Sequence, residues 1–424
     1  MKLDTQVKNS PKIFYGWWVV VSAAVSSAIH AGILLYGFGP FFDSLVEEFK
    51  ASRAAVSLAI SISRLEGGVL GPIDGFLVDK FGPRRISLFG RVLMGSGLIV
   101  LSRISSINQF YLVYAAMVTL GAGLGFFTAT YTAVGNWFVK KRGIAFGITE
   151  AGIGAGGLLV PLVSLLVIHY GWRQAWLIIG ITVLVVAPPL ALLLRHKPEQ
   201  YGYVPDGITA TEIETAETNR PAQKASEDTD FTTGEALRTR AFWFLALVFT
   251  LRLMVTSAIP IHIMPYLLDV GFDRGIAATA LGSIGIVSGV ARLGFGWLSD
   301  IIDKKYIIVG LLGLLTGALS FLGYVKNLWQ LVLFILCYAP AYGGLAVLMQ
   351  AIRGQYFGRR NFGTIMGFMN SITMIGTVAG PYFAGYTWDA TGSYRRAFLV
   401  FAVAAAIAMM LALLTKPPLK KKSS

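Results

Sequence analysis

The chain is short of the residues that make a water-soluble domain. Charged side chains are 14% of its 424 residues, where soluble domains carry about a quarter. It has one cysteine, Cys337, inside an apolar run. No disulfide can form within the chain, and the redox compartment is left open. The four histidines show no metal-ligand spacing. No nucleophile–base pair or metal cluster presents itself, so an enzyme is the least favoured class, and neither a metal nor a cofactor is expected. Acidic residues are scarce too, 22 against 36 Lys and Arg, for a net charge of +14. That balance would suit nucleic acid if the cations shared one soluble face. Here they stand in short clusters between apolar runs, which points away from a nucleic-acid binder. The polar N-terminus, Met1 to Lys12, leads straight into a long apolar run with no small-residue cleavage site, so no removable signal peptide is expected.

What the chain has is long apolar stretches. Hydrophobic residues make up 55%, and a helix crossing a lipid bilayer needs roughly 20 in a row. Twelve spans are expected, at about 15–39, 54–78, 86–104, 108–134, 144–168, 176–194, 242–268, 276–301, 306–323, 328–350, 362–388 and 394–415. Residues 195–240 form the one long polar stretch, rich in Asp and Glu. Such a segment buries too little apolar surface to offset its ordering entropy. It is read as a flexible cytoplasmic linker between an N-terminal six-helix bundle, 1–194, and a C-terminal one, 241–424.

The cations test this topology. With both termini cytoplasmic, the inner segments hold 24 Lys and Arg and the outer segments eight, with four inside spans. That asymmetry follows the positive-inside rule. The expectation is a multi-pass protein of the cell membrane.

The two halves repeat each other. Gly75-x3-Asp79 recurs as Gly296-x3-Asp300, Gly143-x3-Gly147 as Gly363-x3-Gly367, Pro161 as Pro381, and Arg173-Gln-Ala-Trp176 as Arg395-Arg-Ala-Phe398. The offsets stay between 220 and 222. Four matches in order at a nearly constant offset indicate a duplicated six-helix unit, an architecture with which many transporters build a central site.

After span 2 stands Gly75-Phe-Leu-Val-Asp79-Lys80-Phe-Gly82-Pro83-Arg84-Arg85. It resembles the signature loop of the major facilitator superfamily, and Gly296-Trp-Leu-Ser-Asp300 after span 8 resembles that family's second copy. The resemblance implies a cytoplasmic latch of Gly75, Asp79, Arg84 and Arg85, its carboxylate facing a helix N-terminus, where an anion is favoured. Tyr15-Gly16-Trp17-Trp18, which opens span 1, and the Phe41-Phe42 pair to which the sequence then runs are similar in spacing to monocarboxylate carriers. The stretch from Asn136 through Gly143 to Gly147 resembles both that family and the bacterial oxalate/formate antiporters. The chain departs from them in three places. Tyr36 stands where animal monocarboxylate carriers have a lysine, Ser288 stands where they have an aspartate one turn before Arg292, and span 11 lacks the antiporters' lysine. The first two departures put the family's proton mechanism in doubt. With a single cavity cation, one carboxylate at a time is expected.

Charges inside spans mark the site independently. Arg292 lies in span 8 with no acid closer along its helix than Asp300. A charge so deep costs several kcal/mol unless it faces a cavity or a partner. A guanidinium suits a carboxylate, and the resemblance implies that role here; the alternative is an ion pair with Glu66 or Glu150. Arg64 and Glu66 point to different sides of span 2 and are expected to find partners on neighbouring helices. Arg252 could serve either purpose, and Arg91 is expected to snorkel to the headgroups. His262 in span 7 is bracketed by Pro260 and Pro265, so a broken helix bordering the cavity is expected, with the imidazole as a proton carrier. Tyr131 and Tyr342, on spans that line the pathway in the superfamily, are expected to contact substrate. Gly152-x-Gly154-x-Gly156-Gly157 lacks the strand a nucleotide loop requires and is read as close helix packing.

The expected function is alternating-access transport of a small monocarboxylate, of lactate or pyruvate size, with a proton as co-substrate. Arg292, Tyr131, Tyr342 and His262 would form the site. Carboxylate exchange of the oxalate/formate type and a non-transporting sensor of the same fold are the alternatives.

Overall fold

The protein is described by a computed structural model that covers residues 14–51, 56, 67–207 and 230–418. All regular structure among these residues is helical. Among the described residues nine stretches are long and apolar enough to cross a membrane, and one of them, Arg142–Leu193, is spans 5 and 6 joined through a turn at Gly171 (φ 76°). Span 3, Pro83–Leu101, and the described part of span 2, ending with Gly71–Phe81, complete twelve. Arg64 and Glu66 lie outside the described residues.

Several expectations need correction. Span 1 is not one helix over 15–39. It runs as an α-helix over Gly16–His30, widens to a π-helix over Ala31–Leu35, breaks at Tyr36, and resumes as Gly39–Glu48. The new helix opens at Gly39 with Pro40 in its first turn, where proline, lacking an N–H, could not have bonded back to Tyr36 in a continuous helix. Span 7 is the opposite case: Arg240–Asp269 stays helical through Pro260 and Pro265. Membrane helices tolerate proline where neighbours satisfy the freed backbone groups. The polar stretch 195–240 is ordered at both described ends. Asp206 accepts hydrogen bonds from the N–H groups of Val139, Lys140 and Lys141, and Asp230 from those of Arg359 and Arg360. These acids bind the turns before spans 5 and 11, which is why they do not behave as solvating charge.

Arg91 does not snorkel. It is fully buried, with Nε donating to the Gly125 carbonyl, Nη1 to that of Ala187 and Nη2 to Ser26 Oγ. Gly90 lies against the backbone of Gly121 and Gly125, so span 3 meets the π-helical part of span 4, Gly123–Thr128, where carbonyls are open to side chains.

The halves meet through two equivalent interfaces, span 2 on span 11 and span 5 on span 8. Glycine makes both approaches possible. A Cβ on Gly75 would collide with the Gly363 carbonyl, and one on Gly296 would stand 2.7 Å from that of Gly143. The close approach continues deeper, with Gly71 against Gly367 and Gly147 against the Arg292 carbonyl. All these contacts lie toward the face that carries the Lys- and Arg-rich loops, called here the basic face. Beyond Arg292, a Cβ added to Gly154 or Gly157 on span 5, or to Gly282, Gly285 or Gly289 on span 8, would meet nothing among the described residues. The protein is therefore closed on its basic face. Within the N-terminal half, Gly152 and Gly156 pack on span 1 at Ala24 and Ala28, as the sequence leads one to expect.

Candidate functional site

The basic face is closed by a pair of carboxylates. Asp79 accepts from the backbone N–H of Gly363 (3.2 Å) and Thr364 (2.9 Å) and from the Thr364 hydroxyl (2.7 Å), at the start of span 11. Asp300 accepts from the N–H of Gly143 (2.6 Å) and Ile144 (2.9 Å), at the start of span 5. Each acid comes from one half and caps a helix of the other. Both sit where unsatisfied N–H groups and the helix dipole favour an anion. Arg84 and Arg85 take no part. They are exposed where Gly82 (φ 83°) and Pro83 turn the chain into span 3, and they make no hydrogen bond or ion pair among the described residues. Arg359, counted from the sequence only as a topology charge, does bridge the halves: Nη1 donates to the Asn136 carbonyl (2.7 Å) and Nη2 pairs with Glu199 (2.6 Å).

Deeper in the bundle, several polar side chains converge on Tyr342. The guanidinium carbons of Arg252 and Arg292 lie 5.8 and 5.9 Å from its ring centre. Arg292 is 6% exposed. Its Nη1 donates to the backbone carbonyl of Glu150 (2.9 Å), and its Nε is buried without a partner. No described carboxylate forms an ion pair with it. The Glu150 carboxylate instead accepts from the Tyr131 hydroxyl (2.7 Å), and Tyr131 is held between Phe127 and Phe146. Arg252 donates to the Tyr342 carbonyl (2.9 Å) and to Met349 Sδ (3.3 Å), again with Nε unpartnered. Tyr36, at the break in span 1, lies within electrostatic reach of Tyr342, Arg292 and Glu150. The structure thus brings together Arg292, Tyr131 and Tyr342, and adds Glu150, Arg252 and Tyr36. Arg252 makes a second buried cation beside Tyr342, so the expectation of a single cavity cation is corrected.

His262 is not brought to this cluster. It stands ten residues beyond Arg252 on span 7, roughly 15 Å along the helix. Nε2 lies 3.0 Å from the Pro381 carbonyl and Nδ1 3.3 Å from the Tyr394 hydroxyl. A carbonyl only accepts, so Nε2 carries the proton and, in the neutral ring, Nδ1 accepts from Tyr394. Both ring nitrogens are engaged in joining spans 7, 11 and 12.

Two buried groups have no counterpart among the sequence expectations. Arg353 is inside span 10, not in the loop after it. Its Nη1 donates to Gln350 and Asn370, and its Nε and Nη2 are unpartnered. Asp74, in span 2, lines a cavity of about 240 Å³ with Gly71, Thr128, Asn370 and Thr373. Neither could be singled out from spacing: Arg353 stands at a predicted span end, and Asp74 is the flank of the Gly75–Asp79 loop. Among the described residues no group of His, Cys, Asp and Glu could hold a metal ion.

Known proteins resemble this chain over nearly its whole length. A bovine protein named monocarboxylate transporter 13 is 28% identical over 393 residues, covering 91% of this chain and 86% of its own. The oxalate:formate antiporter of Oxalobacter formigenes is 26% identical over 423 residues, covering 96% and 93%. Among solved structures, the proton:xylose symporter XylE superposes with a TM-score of 0.76 at 14% identity, covering 96% of each chain. The human organic anion transporter MFSD10 does so with 0.72 at 14% identity, covering 94% and 99%. The family model of the Major Facilitator Superfamily matches residues 24–323 and 285–424. Twelve helices in two duplicated halves, the reciprocal carboxylate caps and this match agree, and the chain belongs to the major facilitator superfamily of membrane transporters.

Proposed function

We propose that this transporter carries small monocarboxylates, of lactate or pyruvate size, across the cell membrane by alternating access, with a proton moving alongside. The observation that carries the reading is Arg292, buried beside Tyr342 with one N–H unpartnered. Its planar donors match both oxygens of a carboxylate, and a charge this deep is costly without a partner. Formal charge agrees. Arg252 and Arg292 against Glu150 leave one net positive charge around Tyr342, which a monoanion neutralises. Tyr131 and Tyr342 orient the rest of the substrate. The names of the bovine and Oxalobacter relatives point to the same class of cargo. By the cation asymmetry the basic face and both termini are cytoplasmic, so the structure closed on that face is the outward-facing state.

Uptake of labelled lactate and pyruvate into proteoliposomes tests this. Arg292→Ala is expected to weaken binding by about thirtyfold or more, since truncating one partner of a buried charge pair costs about 2–5 kcal/mol. Arg292→Lys recovers little, because an ammonium cannot engage both oxygens. Near-wild-type transport by Arg292→Ala removes the assignment.

Arg252 favours a second reading, exchange of carboxylates without protons, because two guanidiniums beside one ring could take a dianion. Oxalate competing better than lactate, with that preference lost in Arg252→Ala, would support it over symport.

A further inference from the structure

We propose that Asp74 is the coupling-ion site of this transporter, that the ion is a proton, and that it is held in the cavity between spans 2, 4 and 11 while the basic face is closed. This rests on the reading above for the cargo, but its site is separate from Arg292.

Asp74 is 5% exposed and faces a cavity whose other polar lining is Thr128, Asn370, Thr373 and Thr377. That lining offers its carboxyl no charge. The hydroxyls of Thr373 and Thr377 donate to carbonyls of their own helix, and Asn370 Oδ1 accepts from Arg353. Among the described residues no cation forms an ion pair with Asp74. The charged and titratable groups on the elements around it are committed elsewhere. On its own helix, Asp79 caps span 11 and Lys80 lies over Phe76 and Phe81. On span 3, Arg91 is spent on Gly125, Ala187 and Ser26, and Arg84 and Arg85 are exposed. Span 4 holds no charged residue, and its Tyr131 donates to Glu150. On span 11 the one charged residue, Asp389, lies at the opposite end. Arg353 reaches the lining only through Asn370. Arg64 and Glu66 lie outside the described residues.

A bare carboxylate in such surroundings costs several kcal/mol, whereas the neutral acid does not. At about 30 Å³ of liquid volume each, the cavity of about 240 Å³ has room for the waters that would bring a proton. When spans 2 and 11 separate, the carboxylate opens to bulk water on the basic face, where its charged form is solvated, and the proton leaves on that side. Proton binding therefore stabilises the state closed on the basic face.

The duplication explains why the cavity exists. The offset of 221 that relates Asp79 to Asp300 relates Gly71 to Arg292, and the offset of 220 relates Asn370 to Glu150. The backbone contacts agree, with Gly71 against Gly367 in one interface and Arg292 against Gly147 in the other. Where one interface holds an arginine side chain, its counterpart holds a glycine, and Asp74 borders the space left over. The anion site and the proton site are thus equivalent places in the two interfaces.

Infrared spectroscopy of the protein in liposomes without substrate, together with proteoliposome uptake, tests the proposal. The wild type is expected to show a protonated-carboxyl band near neutral pH that Asp74→Asn lacks and Asp74→Glu keeps. Acid outside is expected to accelerate monocarboxylate uptake by the wild type and by His262→Gln. In Asp74→Asn that acceleration is lost while substrate counterflow continues. Three results overturn the proposal: no such band in the wild type, undiminished acid acceleration in Asp74→Asn, or stimulation by sodium instead of acid that Asp74→Asn abolishes. If Asp74→Asn fails to insert, Asp74→Glu decides, since loss of its band or its acid acceleration counts against the site. A wild type that moves no monocarboxylate defeats the cargo reading, and the band alone then decides whether Asp74 holds a proton.

Discussion

Asp79 and Asp300 cap spans 11 and 5 in the same manner, each with a carboxylate on two successive backbone N–H groups. About two turns deeper, the same interfaces diverge: one holds Gly71 beside Asn370 and a cavity, the other Arg292 beside Glu150. At the membrane surface both copies have one task, to close the basic face, and glycine packing with a capped dipole serves both. Inside, a charge must answer to its surroundings. Two copies of Arg292 would double the fixed positive charge, so the halves divide the work.

The largest effect should come from forcing the interfaces apart. Gly75→Ala drives a methyl into the Gly363 carbonyl and Gly296→Ala crowds Gly143, whereas Gly282→Ala meets nothing. Overpacking costs about 1–3 kcal/mol. The first two variants should open the basic face, read as faster thiol labelling of a cysteine placed beside Gly363, and Gly282→Ala should match the wild type. Equal labelling in all three would break the claim that glycine packing closes that face.

The caps should rank next and need not be equal. Asp79 has the Thr364 hydroxyl in addition to its two N–H donors, and among the described residues Asp300 has no such third donor. With charge-assisted hydrogen bonds worth about 1.5–3 kcal/mol, Asp79→Asn should increase labelling more than Asp300→Asn, and the two should add because they lie in separate interfaces. Transport should fall in both while equilibrium substrate binding persists. Joint loss of binding and thermal stability would mark the aspartates as merely structural.

The smallest effect belongs to the linker ends. Asp206→Asn and Asp230→Asn each weaken a turn cap, at a cost of about 1 kcal/mol. Each should lower the unfolding temperature modestly. A melting curve unchanged in both would remove the linker ends from the framework of spans 5 and 11.

Much of this was legible in the sequence. Apolar runs mark the spans, and the repeated Gly75–Asp79 and Gly143–Gly147 segments are the parts that meet in the two interfaces. Arg292 announced itself by having no acid on its own helix closer than Asp300, eight residues on. The misreadings have physical causes. Arg91 stands where a span end could reach headgroups, but the close approach of Gly90 and Gly125 draws it into the bundle. Prolines beside His262 suggested a cavity, yet Pro381 and Tyr394 engage its ring. Asp74 was hidden by the motif it adjoins.

Family resemblance pointed to the carboxylates of the two caps and also to Arg84 and Arg85, which take no part; by itself the sequence determined the membrane class, the twelve spans and the duplication. These depend on run length and on spacing along one helix, where 1.5 Å per residue fixes geometry locally. Only the tertiary structure decided which buried polar groups meet: Tyr131 with Glu150, Arg252 with Tyr342, and Asp74 with a cavity. Each of those outcomes depends on helices far apart in sequence and on how closely their backbones approach, and a charge inside a membrane is defined by what surrounds it.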